Sequence, residues 1–291
     1  MTGWERRAHP NCSHCPAPVG PPKHDAAMIE RISKLLNKAE NAGTPHEAHI
    51  YFEKAQALAT AHSISLARAR MHQDARVRPT MPVNRTIQIG EPRRHANRHL
   101  VRLFALIGQV NGLQVDVAHN STYVIAYGFT DDIDAAEVLW TRIATHMVRF
   151  GEAYLDSGQW RDDQRIVKQR GRQYLAAMTR QTARSTYYQS FVDTIGLRLV
   201  EAHERAVRTA TDADEAAGVG DTGAVVALRH RADDVSAFYR RQSQARGSWN
   251  GNRSSVRGRP GSATAAGQRD AHTVNLSDRT EVSGRRGELR R

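Results

Sequence analysis

The sequence predicts an α-rich α+β protein: a helical hairpin near the start, a mostly helical second unit carrying a small β-hairpin, and disordered ends. Three observations carry this. Apolar residues recur at helical spacing over 28–71 and again over much of 96–241. Two short runs around His119-Asn120-Ser121 alternate with the period of a strand. Both ends are poor in bulky apolar residues and rich in Arg with Pro or with Gly and Ser.

The first helix is expected from Asp25, as its cap, to about residue 40. Met28, Ile32, Leu35, Leu36 and Ala39 form its apolar face, and Asn41-Ala42-Gly43 stop it. Thr44-Pro45-His46-Glu47 reads as a capping box with proline at the first helical position. The second helix then lays Ala48, Tyr51, Phe52, Ala55, Leu58, Ala59 and His62 along one stripe, and Ser65 is expected to start a short third helix ending near Met71. So short a connection predicts that the first two helices pack antiparallel.

The residues of this segment resemble a known family. Ile32, Leu35-Leu36, Ala39-Glu40, Glu47-Ala48, Lys54-Ala55-Gln56, Leu58 and Ile64 are similar to the pattern of the domain of unknown function 2786, over about residues 28–70. The resemblance implies a helical fold and an origin in bacteria, notably actinobacteria, or in their phages and mobile elements. It carries no catalytic residue across, because the matched positions are core and capping types. The helix–hairpin–helix region that follows also resembles the segment that often accompanies this domain.

Beyond residue 72 the expected order is a linker at 73–85, a strand at 86–89 and a helix at 96–110. The β-hairpin of 113–118 and 122–129 follows, then a helix from Thr130-Asp131-Asp132 to about 156. A long helical run is expected over 161–208, broken near 182–185, then a loop at 211–223, a strand at 224–228 and a helix at 232–241. The division into units is therefore a leader at 1–24, the hairpin at 25–72, the linker, a second unit at 86–241 and a disordered tail at 242–291.

The charge is the main clue to function. The chain carries +12 with a pI near 10.3, which draws polyanions to its surface but confers no sequence specificity. Arginine far outnumbers lysine, as it also does under the compositional bias of GC-rich genomes. Spaced by four, three and four, Arg161, Arg165, Lys168 and Arg172 would share one face of the expected helix, with Val167, Tyr174, Leu175 and Met178 facing inward. Such a face suits a phosphate backbone, or is simply a solvated surface. The tail holds ten arginines against four carboxylates, about half the net charge, with Arg253, Arg257 and Arg259 clustered among Gly and Ser.

Metal chemistry has one candidate. His9, Cys12, His14 and Cys15 form a compact set, and a Cys-x-x-Cys pair can offer two thiolates to zinc. No second pair follows, so a leader without metal is the competing reading. His46 and His49 are three apart, whereas a zinc-protease helix needs four. No phosphate-cradling Gly-x-x-x-x-Gly-Lys run and no Gly-x-Ser-x-Gly elbow occurs.

Cys12 and Cys15 are the only cysteines, too close to staple a fold, and no secretory signal or apolar span is seen, so a cytoplasmic protein is expected. The leading expectation is a non-enzymatic, nucleic-acid-associated accessory protein binding through phosphates. A protein-interaction module, with residues 25–72 meeting a partner or a second copy, is the first alternative, and a metal-dependent enzyme the second.

Overall fold

The computed structural model describes residues 23–40, 45–71, 81–169, 171–218, 223–247, 249, 261–272 and 274. Among these it is a mostly helical α+β protein with seven α-helices and two small antiparallel sheets.

Helix α1 (Lys23–Glu40) buries Met28, Ile32, Leu36 and Ala39, which recur at steps of four and three along one stripe. Helix α2 (Pro45–Met71) begins on the proline, whose missing N–H costs nothing in a first turn. Thr44 lies outside the described residues. α2 runs unbroken through Ser65, which corrects the expected third helix. No glycine or proline follows Pro45 within α2, and Ser65 lies on its outer face while Ile64 and Ala67 continue the buried stripe.

Strand β1 (Val83–Gln88) pairs with β3 (Tyr123–Gly128), which also pairs with β2 (Gln114–Val117), giving the order β1-β3-β2. β1 therefore joins the expected β-hairpin as a third strand. Helix α3 (Asn97–Val110) buries Val101, Leu103, Phe104 and Ile107. Gly112, at φ +76°, closes it, with the Leu113 N–H donating back to the Gly108 carbonyl at 2.8 Å. Helix α4 (Thr130–Ser157) ends on Gly158 in the left-handed region.

The expected helix over 161–208 is corrected. A 3-10 turn (Gln159–Asp162) leads into strand β4 (Gln164–Gln169), paired with β5 (Arg172–Ala177), and only then does helix α5 (Arg180–Ala216) begin. Ile166, Val167 and Tyr174 favour a strand. Gly171, at φ +79°, lies in the turn between the two strands, in the left-handed region that favours glycine. The Thr179 hydroxyl accepts from the Thr182 N–H at 3.2 Å and caps α5.

α5 continues to Ala216, through part of the expected loop. Residues 224–228, expected as a strand, open helix α6 (Ala224–Gln242). A short apolar run does not tell strand from buried helix by its period. Here the Asp214 carboxylate accepts from the Ala224 N–H at 2.6 Å and fixes the helix start.

The expectation of a structureless segment from Gln242 onward fails at helix α7 (Ser262–His272), which packs along α5. Ala263, Ala266 and Ala271 are buried, and Gly267 lies so close that a Cβ there would meet the Tyr187 carbonyl oxygen at 2.5 Å. Small residues, not bulky ones, make this contact, so counting large apolar residues missed it.

One core joins these elements. Met28, Ile32 and Phe52 of the hairpin belong to the same buried cluster as Phe104, Leu139, Phe191 and Ala266, and α1 and α2 pack on α4, α5 and α6.

Candidate nucleic-acid interface

The β4–β5 pair is a two-stranded ribbon whose strands contact chiefly each other. Its foot is firmly held. The Met178 N–H donates to the Asp163 carbonyl at 3.0 Å. The Asp163 carboxylate accepts from the Ser262 hydroxyl at 2.8 Å and the Ser262 N–H at 3.1 Å, capping α7. The Trp160 indole N–H donates to the Leu155 carbonyl at 2.9 Å, anchoring the turn below the ribbon to the end of α4. The helix expected to be a disordered tail thus clasps the base of the ribbon.

Residues 164–177 contain Arg165, Lys168, Arg170 and Arg172 and no acidic residue. The register pairs Arg165 with Ala176, Val167 with Tyr174, Lys168 with Gln173 and Gln169 with Arg172. The predicted helical stripe is not what brings the four cations together. Arg161 sits in the 3-10 turn at the foot, its guanidinium 5.3 Å from the Trp160 ring centre. Arg165 and Lys168 are three residues apart, an odd number of strand positions, so the shared helical face is lost. Arg165 and Arg172 do share a face of the ribbon. Arg165 Nε donates to the Ala177 carbonyl at 3.3 Å, and Arg172 is exposed. Tyr174 and Leu175, expected in a core, are 45% and 65% exposed.

A second feature lies far along α4 and α5 from the ribbon. Helices α2 to α6 enclose a cavity of about 170 Å³, lined among others by Thr60, Ser63, Asn111, Asp132, His203 and Arg231. The Thr60 hydroxyl lies 3.2 Å from His203 Nδ1, and Gln56 Nε2 donates to Asn111 Oδ1 at 3.3 Å. Arg231 and Asp132 form a buried ion pair beside them. Burial lowers the His203 pKa and raises that of Asp132, the latter against the pull of Arg231. The ion pair and the ladder of polar partners make this a buried polar network that joins helices, in which the Gln56 side-chain oxygen has no hydrogen-bond partner. Asp131 and Asp132 were legible as acids at a helix start. The pairing of Asp132 with a residue 99 positions away was not.

Among the described residues, no group of three or more His, Cys, Asp or Glu is placed to hold a metal ion. His9, Cys12, His14 and Cys15 lie outside the described residues, as do Arg253, Arg257 and Arg259. No helix among the described residues is long and apolar enough to cross a membrane.

The fold and the ribbon together define a helical α+β protein presenting a basic β-arm. Residues 27–66 match the family model described as protein of unknown function (DUF2786). The match covers most of α1 and most of α2, including Gln56, whose side chain is fully buried. No curated protein and no solved structure matches the chain.

Proposed function

We propose that this chain is a nucleic-acid-associated accessory protein that acts by binding, with the β4–β5 ribbon as its grip on the phosphate backbone. The observation that carries this reading is a ribbon standing on a clasped foot with four cations and no carboxylate of its own. Elsewhere many arginines are partnered: Arg85 with Asp134, Arg102 with Asp193, Arg180 with Asp156, Arg205 with Glu53. A two-stranded ribbon is also slim enough to follow a groove or an extended strand. The arginines of the tail would add mobile contacts, and the cytoplasm is the compartment that fits such work. Zinc at Cys12, Cys15, His9 and His14 plays no part in this reading.

The alternative of a protein-interaction module at 25–72 is less favoured. The apolar positions Met28, Ile32, Leu36 and Phe52 are already spent on the shared core.

The test is binding of the full chain to a labelled oligonucleotide across a salt series. Affinity should fall steeply with salt. Replacing Arg165 and Arg172 by Gln should shrink the slope of log K against log salt by about 1.4 on a single strand to 1.8 on a duplex, the share of two phosphate contacts. Binding that is absent at low salt, indifferent to salt, or unchanged in this variant overturns the reading. Deleting 242–291 is a poor test of the tail because it removes α7; Arg253→Gln, Arg257→Gln and Arg259→Gln together leave α7 in place.

A further inference from the structure

We propose that one face of the ribbon is a stacking platform for single-stranded nucleic acid, with Tyr174 taking an unpaired base between phosphates held by Arg165 and Arg172. This rests on the ribbon being the binding element and adds which form of nucleic acid it takes and how.

Strand register fixes which residues of the ribbon share a face. Side chains alternate along each strand, and directly paired residues share a face. Arg172, Tyr174 and Ala176 therefore lie on one face of β5, joined by Arg165 and Val167 of β4 through their pairing with Ala176 and Tyr174. The other face carries Ile166, Leu175 and Gln173. The aromatic and both arginines are thus together, and Leu175, the exposed leucine of β5, is on the opposite side.

Spacing supports the same reading. Arg172 pairs with Gln169, four strand positions from Arg165, so the two cations stand about 13 Å apart along the ribbon, with the Tyr174–Val167 pair midway. Tyr174 is 45% exposed, and the ribbon contributes no acidic residue to repel a backbone. A ring with a cation on either side suits a strand whose bases are free to stack. In a duplex the base faces are covered by their neighbours. Recognition there goes through base edges in the groove, where a tyrosine ring has little to offer.

The experiment uses the full chain and fluorescence anisotropy at low salt. The probes are a mixed-sequence DNA 12-mer as single strand, the same strand as RNA, and the 12-base-pair duplex. The single strands should bind about tenfold or more tighter than the duplex. Tyr174→Ser should lose about tenfold on single strands and keep its salt slope, because the cations remain. Tyr174→Phe should restore binding, and Leu175→Ser should leave it unchanged. Thermal melts of the variants matching that of the native chain separate lost stacking from lost folding.

Preference for the duplex, no effect of Tyr174→Ser, or an equal loss from Leu175→Ser overturns the platform while leaving a phosphate-binding ribbon standing. Absence of salt-dependent binding to any probe overturns the ribbon reading itself, and the platform with it.

Discussion

Arg231 donates to one carboxylate oxygen of Asp132 from both Nε and Nη2, at 3.0 and 2.8 Å, and each side chain is only 8% exposed. The guanidinium carbon also lies over the Phe129 ring, 3.9 Å from its centre. This one pair pins α6 to the start of α4 across 99 residues of chain. A buried pair contributes modestly as a pair, but removing one partner strands a charge in the interior. Asp132→Asn should therefore cost about 3 to 5 kcal/mol, read as a lower urea midpoint. Asp132→Ala with Arg231→Met should recover part of that loss. A single variant as stable as the native chain would show that the pair is not buried in solution.

Acid should destabilise the fold through two histidines. Burial, aided by Arg98 and Arg102, lowers the His99 pKa to about 3; burial, aided by Arg149 and Arg142, does the same for His146. The unfolded chain takes up a proton at each as pH falls through about 6.5, and the folded chain does not until about 3. Stability is therefore complete above pH 6.5 and lost as pH falls towards 3, by about 2 kcal/mol per histidine at pH 5. His99 Nε2 accepts from Arg98 Nε at 3.2 Å, a bond open only to the neutral ring. His146 Nδ1 is buried with no hydrogen-bond partner. Urea midpoints at pH 7.5 and 5 check this, and His146→Leu should remove about half of the difference.

Docking of α7 depends on a missing side chain. At Gly267 a Cβ would meet the Tyr187 carbonyl oxygen at 2.5 Å and Ser190 Cβ at 3.0 Å. Gly267→Ala should lift α7 from α5 and cost about 2 kcal/mol. The Tyr187 hydroxyl would then lose Asp270, its acceptor at 2.7 Å, and Arg198 would lose the Ala271 carbonyl. Faster tryptic cleavage at Arg269 is the direct readout. Cleavage at the native rate would mean that α7 is not seated as described.

The turn of the ribbon is sensitive to its backbone. Gly171 sits at φ +79°, where a β-branched residue is strained. Gly171→Val should disrupt the β4–β5 pairing, seen as loss of cross-strand nuclear Overhauser effects. The urea midpoint should scarcely move, since among the residues of these strands whose burial is described none is buried.

Much of the fold was legible because local rules governed it. The stripe Met28–Ile32–Leu36–Ala39, the proline start of α2, the turn at His119-Asn120-Ser121 and the stop at Gly112 each rest on neighbours in sequence. The candidate site was legible only as composition. The cluster of cations was plain, but spacings of four and three imitate a helix, and Val167, Tyr174 and Leu175 read as its inner face. Gly171 decided otherwise, because it lies in the turn between the strands at a positive φ.

The sequence by itself determined the helical hairpin of 27–66, the strong cationic excess and the absence of acids from 164–177, since all three depend on residue type and local order. Tertiary structure alone decided that Asp132 meets Arg231, that α7 folds back to cap itself on Asp163, and that Arg165, Tyr174 and Arg172 share a face. Those relationships join residues brought together by burial and strand register, and no local period in the chain encodes them.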